Sequence, residues 1–243
     1  FPYIPARSRN PQTRFGAIMN ASNLTRPNMV IAVDGPSGSG KSSISKESAQ
    51  RLGFNFLDTG AMYRSLTWFC IEGKLTEEES IIENISHHDF NLEISINPLK
   101  EQVNVNGLDV TTFIRENEIT SQVSFYAAMP EVRRFLVSRQ RELVNGSTKG
   151  IIVEGRDIGS VVLPNADFKI FITANDDVRA RRRAKQLNSS EKDVLVAQRK
   201  RDLLDSSRKI SPLVIPDGAV VLDNSELDFE QSVLRFIKLV STK

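Results

Sequence analysis

The apolar residues of the chain fall into short runs that alternate with longer segments of helical period. Mostly apolar runs, typical of buried parallel strands, lie at residues 29–34, 54–57, 151–153, 168–172 and 219–222. Helices are predicted at residues 41–51, 131–143, 178–187, 191–204 and 229–240, and two more are predicted to open near Asp58 and Thr76. This alternation predicts an α/β fold with a central parallel sheet flanked by helices.

Residues 90–112 follow a different period. Apolar and polar residues alternate at 90–96 and again at 103–105, on either side of the turn-forming segment 97–100. Asn106-Gly107 then marks another turn. A small antiparallel sheet is therefore predicted to interrupt the βα alternation, as an inserted subdomain.

The N-terminal segment, residues 1–28, has a composition of its own. It contains four arginines and four prolines and no acidic residue, so it cannot build a core and is predicted to be disordered. One interpretation is that the chain begins upstream of the true start, because Met29 opens the first strand directly. The alternative is a transit peptide, since such peptides are also rich in arginine and poor in acids.

Composition excludes several classes of protein. The 32 basic and 30 acidic residues nearly balance, which does not indicate a large nucleic-acid groove. The single cysteine, Cys70, excludes an intramolecular disulfide and fits a reducing compartment. No run approaches the length of a membrane span. We expect a soluble, monomeric protein of the cytoplasm, or of an organelle if the N-terminal segment is a transit peptide, with no nucleic-acid or membrane partner.

Residues 35–42 read Gly-Pro-Ser-Gly-Ser-Gly-Lys-Ser and lie between a predicted strand and a predicted helix. This is the P-loop pattern in its proper context. Its glycines let successive backbone N–H groups turn toward phosphate oxygens, and the helix N-terminus favours the same anion. Lys41 is expected to reach the β- and γ-phosphates and Ser42 to ligate Mg²⁺. The motif predicts binding of a nucleoside triphosphate.

Arginines and acids also follow the other predicted strands, at the sheet edge where α/β proteins bind ligands. They include Arg64, Arg156, Asp157, the group 179–183 and the group 201–208. Several arginines from separate strand ends indicate two phosphate-bearing ligands rather than one. The alternative is that these arginines are solvent-exposed surface residues and that Asp157 and Asp205 only pair with neighbouring arginines.

Six segments together resemble the bacterial-type cytidylate kinases, over nearly the whole chain from Met29 to about Phe236. They are IAVDGPSGSGKSS (31–43), LDTGAMYR (57–64), VSFYAAMPEVR (123–133), VEGRDIGSVVLPNADFKIFITA (153–174), VRARRRAKQL (178–187) and RDLLDSSRKISPL (201–213). The P-loop alone fits many ATPases, whereas the combination with DTGAMYR, EGRDIG and RDxxDSxR is specific.

The resemblance implies a P-loop NTPase fold with a small antiparallel insert that binds the monophosphate and with a helical lid. It places the kinase domain at residues 29–243, the insert at about 86–127 and the lid at about 178–209. It implies transfer of a phosphoryl group from ATP, with Mg²⁺, to CMP or dCMP in pyrimidine nucleotide metabolism. Only 17 residues, 184–200, separate the lid arginines from the following Arg-Asp pair, which is shorter than the family pattern.

The resemblance also implies roles for individual residues. The ATP phosphates would be bound by Gly35, Pro36, Ser37, Gly38, Ser39, Gly40, Lys41, Ser42, Ser43, Arg179 and Arg183. The CMP site would comprise Thr59, Arg64, Ser124, Arg133, Arg156, Asp157, Arg201, Asp205 and Arg208. Among these, Ser124 and Asp157 would bind the cytosine; Arg64, Arg133, Arg156 and Arg208 the phosphate; and Arg201 and Asp205 the ribose. The catalytic set would be Lys41, Arg156 and Arg182, with Ser42 as the metal ligand.

Other functions remain possible at this point. Another P-loop kinase, acting on shikimate, dephospho-coenzyme A or thymidylate, is disfavoured by the EGRD segment and the insert. A GTP-binding switch would need a guanine motif, which the sequence lacks, and a nucleic-acid-dependent ATPase is disfavoured by the net charge of +2.

Overall fold

The structure, a computed structural model, describes residues 28–86 and 90–241. Predictions for the N-terminal segment up to residue 27 therefore lie outside the described residues. The strands are β1 (Val30–Asp34), β2 (Asn55–Asp58), β3 (Leu92–Ile94), β4 (Val103–Val105), β5 (Leu108–Asp109), β6 (Ile151–Gly155), β7 (Phe168–Thr173) and β8 (Val220–Asp223). The α-helices are α1 (Lys41–Leu52), α2 (Thr59–Glu72), α3 (Glu78–Ser86), α4 (Asn117–Tyr126), α5 (Pro130–Asn145), α6 (Asp176–Leu187), α7 (Glu191–Ser206) and α8 (Phe229–Ser241).

The central sheet has the strand order β2-β6-β1-β7-β8 and is parallel throughout. Its three inner strands, β6, β1 and β7, are almost entirely buried, which explains their mostly apolar sequences, whereas the edge strand β8 leaves Val220 and Val221 exposed. Ala32, for example, packs into a core with α2 and α5, while its neighbours Ile31 and Val33 pack into a second core with α1 and α8. The predicted α/β fold with a central parallel sheet is confirmed.

A second, antiparallel sheet of order β3-β4-β5 lies apart from the first. Asn106 and Gly107 have φ values of 52° and 79°, the left-handed conformations that a tight hairpin turn requires between β4 and β5. The predicted hairpins are thus confirmed. Helix α4, which follows this sheet, was not predicted, because only Ile119, Val123 and Tyr126 of its residues are buried.

Helix ends follow local chemistry. Asp58 is the N-cap of α2, and its side chain accepts a hydrogen bond of 2.9 Å from the Ala61 N–H. Gly53 ends α1 with a φ of 69°, and Pro130 occupies the first turn of α5. Cys70 of α2 is buried, and burial raises the pKa of its thiol to about 12, so it packs in the core as a neutral side chain.

The register of the sheet brings three sequence motifs to one edge. Asp34 at the end of β1 is opposite Gly155 of β6, and Asp58 at the end of β2 is opposite Glu154. The P-loop, the EGRD segment and the DTGAMYR segment therefore leave the sheet side by side. In the part of the chain that the structure describes, no helix has the length and apolar character needed to cross a bilayer.

Candidate active site

A cavity of about 880 Å³ opens at this edge of the sheet. It is lined by six predicted P-loop residues: Ser37, Gly38, Gly40, Lys41, Ser42 and Ser43. All nine residues predicted for CMP line the same cavity: Thr59, Arg64, Ser124, Arg133, Arg156, Asp157, Arg201, Asp205 and Arg208. Arg182 and Arg183 also line it, whereas Gly35, Pro36, Ser39 and Arg179 are not among its lining residues.

The backbone of the P-loop requires glycine at two of its turns. Gly35 has a φ of 155°, and a Cβ there would lie 2.1 Å from the carbonyl oxygen of Ile172 on β7. Gly40 is the N-cap of α1 and has a φ of 82°, in the left-handed region. These glycines let the loop curl tightly at the end of β1.

Lys41 is buried at the floor of the cavity. Its Nζ lies 3.2 Å from the carbonyl oxygen of Pro36 and 3.4 Å from Oε1 of Glu154. Burial, and then the positive charge of Arg156, lower the pKa of Lys41 to about 8. The pocket therefore holds a cation with too little negative charge around it, which an anionic ligand would supply.

Glu154 also accepts a hydrogen bond of 2.9 Å from Oγ of Ser42, through its Oε2 atom. One carboxylate thus touches both the lysine and the serine of the P-loop. Glu154 was not among the predicted site residues, although its place at the end of β6 is a signal that could have identified it.

Asp205 organises the opposite wall. Its Oδ2 accepts a hydrogen bond of 2.9 Å from Nε of Arg156, and its Oδ1 accepts one of 3.3 Å from Oγ of Ser124. Nη2 of Arg208 lies 3.7 Å from Oδ1. Burial, and then Arg156, lower the pKa of the nearby Arg201 to about 10. Arginines therefore outnumber carboxylates here, as an anion-binding wall requires.

Arg133 and Asp157 form a buried ion pair. Arg133 also donates a hydrogen bond of 3.2 Å to the carbonyl oxygen of Ala127 and lies over the Tyr63 ring, 5.5 Å from its centroid. Arg64 pairs with Asp58 instead, at 2.8 Å. The expected pairing of Asp157 and Asp205 with neighbouring arginines is thus present, but all of these groups also face the cavity.

The three arginines of the predicted lid have different surroundings. Arg182 donates hydrogen bonds to Oδ1 and the carbonyl oxygen of Asn224, at 2.8 and 2.9 Å. Arg183 faces the cavity, and burial together with the charges of Arg64 and Arg115 lowers its pKa. Arg179 instead binds the back of the P-loop at Ser37. Its predicted contact with ATP phosphates is therefore not supported by its position.

Comparison of the sequence with those of known proteins identifies a family. The cytidylate kinase family matches residues 31–242 of the chain. The cytidylate kinase of Streptomyces avermitilis is 42% identical over 227 residues, which cover 92% of this chain and 97% of that protein.

The chain belongs to the cytidylate kinase family.

The cytidylate kinase of Caldanaerobacter subterraneus subsp. tengcongensis is likewise 42% identical, over 90% of this chain and 96% of its own length. A crystal structure of an uncharacterised protein from Eubacterium ventriosum superimposes with a TM-score of 0.51, covering 88% of this chain and 99% of the other. At 11% identity that likeness supports the fold alone. The resemblance read from the motifs is confirmed, and the protein is a phosphotransferase.

Two further residues, Asn224 and Asp34, support the P-loop and the EGRD segment from behind the cavity. The Asn224 side chain donates a hydrogen bond of 2.9 Å to the carbonyl oxygen of Ser39 in the P-loop. The buried Asp34 accepts hydrogen bonds of 2.7 Å from the N–H groups of Ile158 and Gly159, one at each carboxylate oxygen. Asp34 thereby fixes the turn that follows Arg156 and Asp157.

Asp34 should make stability depend on pH. Burial raises its pKa to about 7 from an ordinary value of 3.8, so the folded protein holds this proton more tightly than the unfolded chain does. Protonated Asp34 therefore stabilises the folded state relative to its ionised form, and this contribution to the free energy of unfolding is fully present below about pH 4 and is lost as the pH rises through about 7. We expect the Tm advantage of the wild type over Asp34→Asn to shrink between about pH 5 and about pH 8. An advantage that stays constant across this range would contradict the raised pKa.

Proposed function

We propose that this cavity binds ATP and CMP or dCMP side by side and is the place where the γ-phosphoryl group passes between them, giving ADP and CDP or dCDP. The activity follows from the family. The observation that supports the location is the set of cationic groups around one cavity, with Lys41 on the P-loop side and Arg64, Arg201 and Arg208 on the other. Arg156 lies between the two sides, because it contacts both the Gly35 carbonyl at 2.8 Å and Asp205.

In the ATP half, the P-loop and Lys41 bind the β- and γ-phosphates. Mg²⁺ fits beside them, because the Ser42 hydroxyl and the Glu154 carboxylate offer two hard oxygen ligands 2.9 Å apart. When bound, the ion would neutralise charge on the phosphates. Arg183 would add positive charge from the lid side, and Arg182 would brace the adjoining loop at Asn224.

In the CMP half, Asp157 is the acceptor for the exocyclic amine of cytosine, with Ser124 beside the base and Arg133 holding Asp157 in place. This differs from the phosphate role that the family resemblance implied for Arg133. Arg64, Arg156 and Arg208 bind the phosphate, while Arg201 and Asp205 bind the ribose. Thr59, whose Oγ1 donates a hydrogen bond of 2.7 Å to the Glu154 carbonyl, ties this half to the end of β6.

The chemical step needs positioning more than acid–base help. An oxygen of the CMP phosphate attacks the γ-phosphorus in line, a new P–O bond forms, and the bond to the β-phosphate oxygen breaks to release ADP. A phosphate dianion is already a competent nucleophile near neutral pH, so no general base is required. The arginines and Lys41 stabilise the charge that spreads over the transferring oxygens. Closing the lid helices would exclude water and so prevent hydrolysis of ATP.

A coupled assay with AMP, CMP, UMP, dCMP and dTMP as acceptors tests this function. Asp157 offers an acceptor to the cytosine amine, but it would face the carbonyl oxygen of uracil, and a desolvated mismatch of that kind is costly. We expect kcat/KM for CMP to exceed that for UMP by about 10-fold or more. Equal use of CMP and UMP would contradict the role of Asp157, and a preference for AMP or dTMP would contradict the proposed substrate.

The same proposal includes a cytoplasmic location, which the single cysteine supports, since no internal disulfide can form. It also includes action without nucleic acid, which the net charge of only +2 supports, and action as a monomer. Size-exclusion chromatography with light scattering tests the monomer directly.

A further inference from the structure

Both backbone polar groups of Ser37 in the P-loop, its N–H and its carbonyl oxygen, are held by side chains of other elements. Its N–H donates a hydrogen bond of 2.9 Å to Oδ1 of Asp202 on α7. Its carbonyl oxygen accepts one of 2.6 Å from Nη1 of Arg179 on α6. Arg179 and Asp202 also bind each other, at 2.6 Å, so the three residues form a closed ring of hydrogen bonds that we call the Ser37 clamp.

All three nitrogens of the Arg179 guanidinium donate hydrogen bonds within the protein. Besides Ser37 and Asp202, it donates hydrogen bonds to the carbonyl oxygen of Ala174 at 3.1 Å and to Oδ1 of Asp176 at 2.6 Å. Only 5% of the side chain is exposed, and it lies outside the cavity lining. A phosphate could reach Arg179 only by displacing these partners.

The next residue of the P-loop packs closely on the same two helices. Gly38 has a φ of 73°, and a Cβ there would lie 2.9 Å from Oε1 of Gln198 and 3.4 Å from the carbonyl oxygen of Arg179. Helices α6 and α7 therefore support the P-loop directly at two consecutive residues.

We propose that Arg179 and Asp202 are positioning residues for ATP. They hold the P-loop backbone at Ser37, so that the N–H groups of the following residues already point toward the phosphate site before ATP binds. A loop with three glycines in six residues, 35–40, loses much conformational freedom when it orders, and holding it in advance removes that cost from binding. The inference rests on the proposed binding of ATP phosphates by the P-loop.

The clamp also limits what can move in the lid. It anchors the first turn of α6 and the later part of α7 to the nucleotide site. Motion of the predicted lid, about 178–209, would then be confined to the segment between Arg179 and Asp202. The arginine that sequence similarity assigned to ATP thus acts on the loop that binds ATP rather than on the ligand.

The test compares Arg179→Met, Asp202→Asn and the double variant with Arg181→Met, which changes an exposed arginine on the same helix. The steady-state KM is measured separately for ATP and for CMP. We expect each clamp variant to raise KM for ATP by about 10-fold or more and to leave KM for CMP within about 2-fold. The double variant should be no worse than the worse single variant, because both break the same ring. Arg181→Met should match the wild type.

Two results would overturn the clamp. If Arg179 bound phosphate itself, Asp202→Asn would free it, so KM for ATP would stay unchanged or fall while Arg179→Met raised it. If the ring served folding alone, Tm would fall while KM for ATP stayed at the wild-type value. Should Arg179→Met fail to fold, Asp202→Asn and Arg179→Lys carry the same comparison, because a lysine cannot bridge Ser37 and Asp202 as the planar fork does.

Failure of the clamp is distinguishable from failure of the proposed function. The wild-type assay with CMP decides the function first. The clamp is then tested by a second measurement, the rise in Tm that ATP produces in the absence of any acceptor. The clamp variants should need about 10-fold more ATP than the wild type to reach the same rise in Tm. An unchanged ATP dependence in both clamp variants would overturn the inference whatever the acceptor proves to be.

Discussion

Replacing Lys41 by methionine is expected to abolish most of the activity without destabilising the nucleotide-free protein. Loss of a group that stabilises the transferring phosphoryl should lower kcat/KM by about 100-fold or more. The lysine is buried, and its pKa lies at about 8 against an ordinary 10.5, so the protonated form opposes folding. That opposition is fully present below about pH 8 and is relieved as the pH rises toward about 10.5. At neutral pH the apo Tm of Lys41→Met should therefore equal or exceed that of the wild type.

The measurement combines kinetics with thermal unfolding, with and without ATP. ATP should raise the Tm of the wild type much more than that of Lys41→Met. Lys46→Met is the matched control, because Lys46 lies on the same helix and pairs with Glu101 at 3.0 Å. Its activity should stay near that of the wild type. Turnover near the wild-type level in Lys41→Met would contradict the P-loop assignment, and a clearly lower apo Tm would show that the Glu154 ion pair outweighs the cost of burial.

The fold was predictable where physical constraints act over short distances. Central strands such as β6 and β7 are buried on both faces, so their sequences stay mostly apolar and are recognised without context. The hairpins were predictable because Asn106-Gly107 favours the turn conformation. Helix α4 was missed because its ten residues bury only three side chains, too few for a clear helical stripe.

The site was predictable in its motifs but not in the contacts between them. The P-loop, DTGAMYR and EGRD segments each follow a strand of one parallel sheet, and this topology brings them to one edge. The clamp between Ser37 and Asp202 joins residues 165 positions apart, and the Asn224 contact with Ser39 joins residues 185 apart. No local pattern predicts such pairs. For Arg179 and Arg133, residue type and position in a motif suggested phosphate binding, and neither gave any sign of the carboxylates and carbonyl oxygens with which both pair in the structure.

Replacing Asp157 by asparagine is expected to change which base the enzyme accepts. The carboxylate only accepts hydrogen bonds, which suits the exocyclic amine of cytosine and opposes the carbonyl of uracil. An asparagine amide offers both a donor and an acceptor, so by turning over it can satisfy uracil as well as cytosine. We expect the ratio of kcat/KM for CMP to that for UMP to fall by about 10-fold, to near 1.

Stability will also fall, because the variant leaves the buried Arg133 without its ion-pair partner. The ratio of the two substrates is the decisive readout, since it does not depend on how much of the protein is folded. Arg201→Met is the control: Arg201 lines the same cavity and is assigned to the ribose, which CMP and UMP share. That variant should weaken both substrates alike and keep the ratio. If Asp157→Asn also kept the ratio, Asp157 would serve only to hold Arg133, and base recognition would have to come from Ser124 or from Arg133 itself.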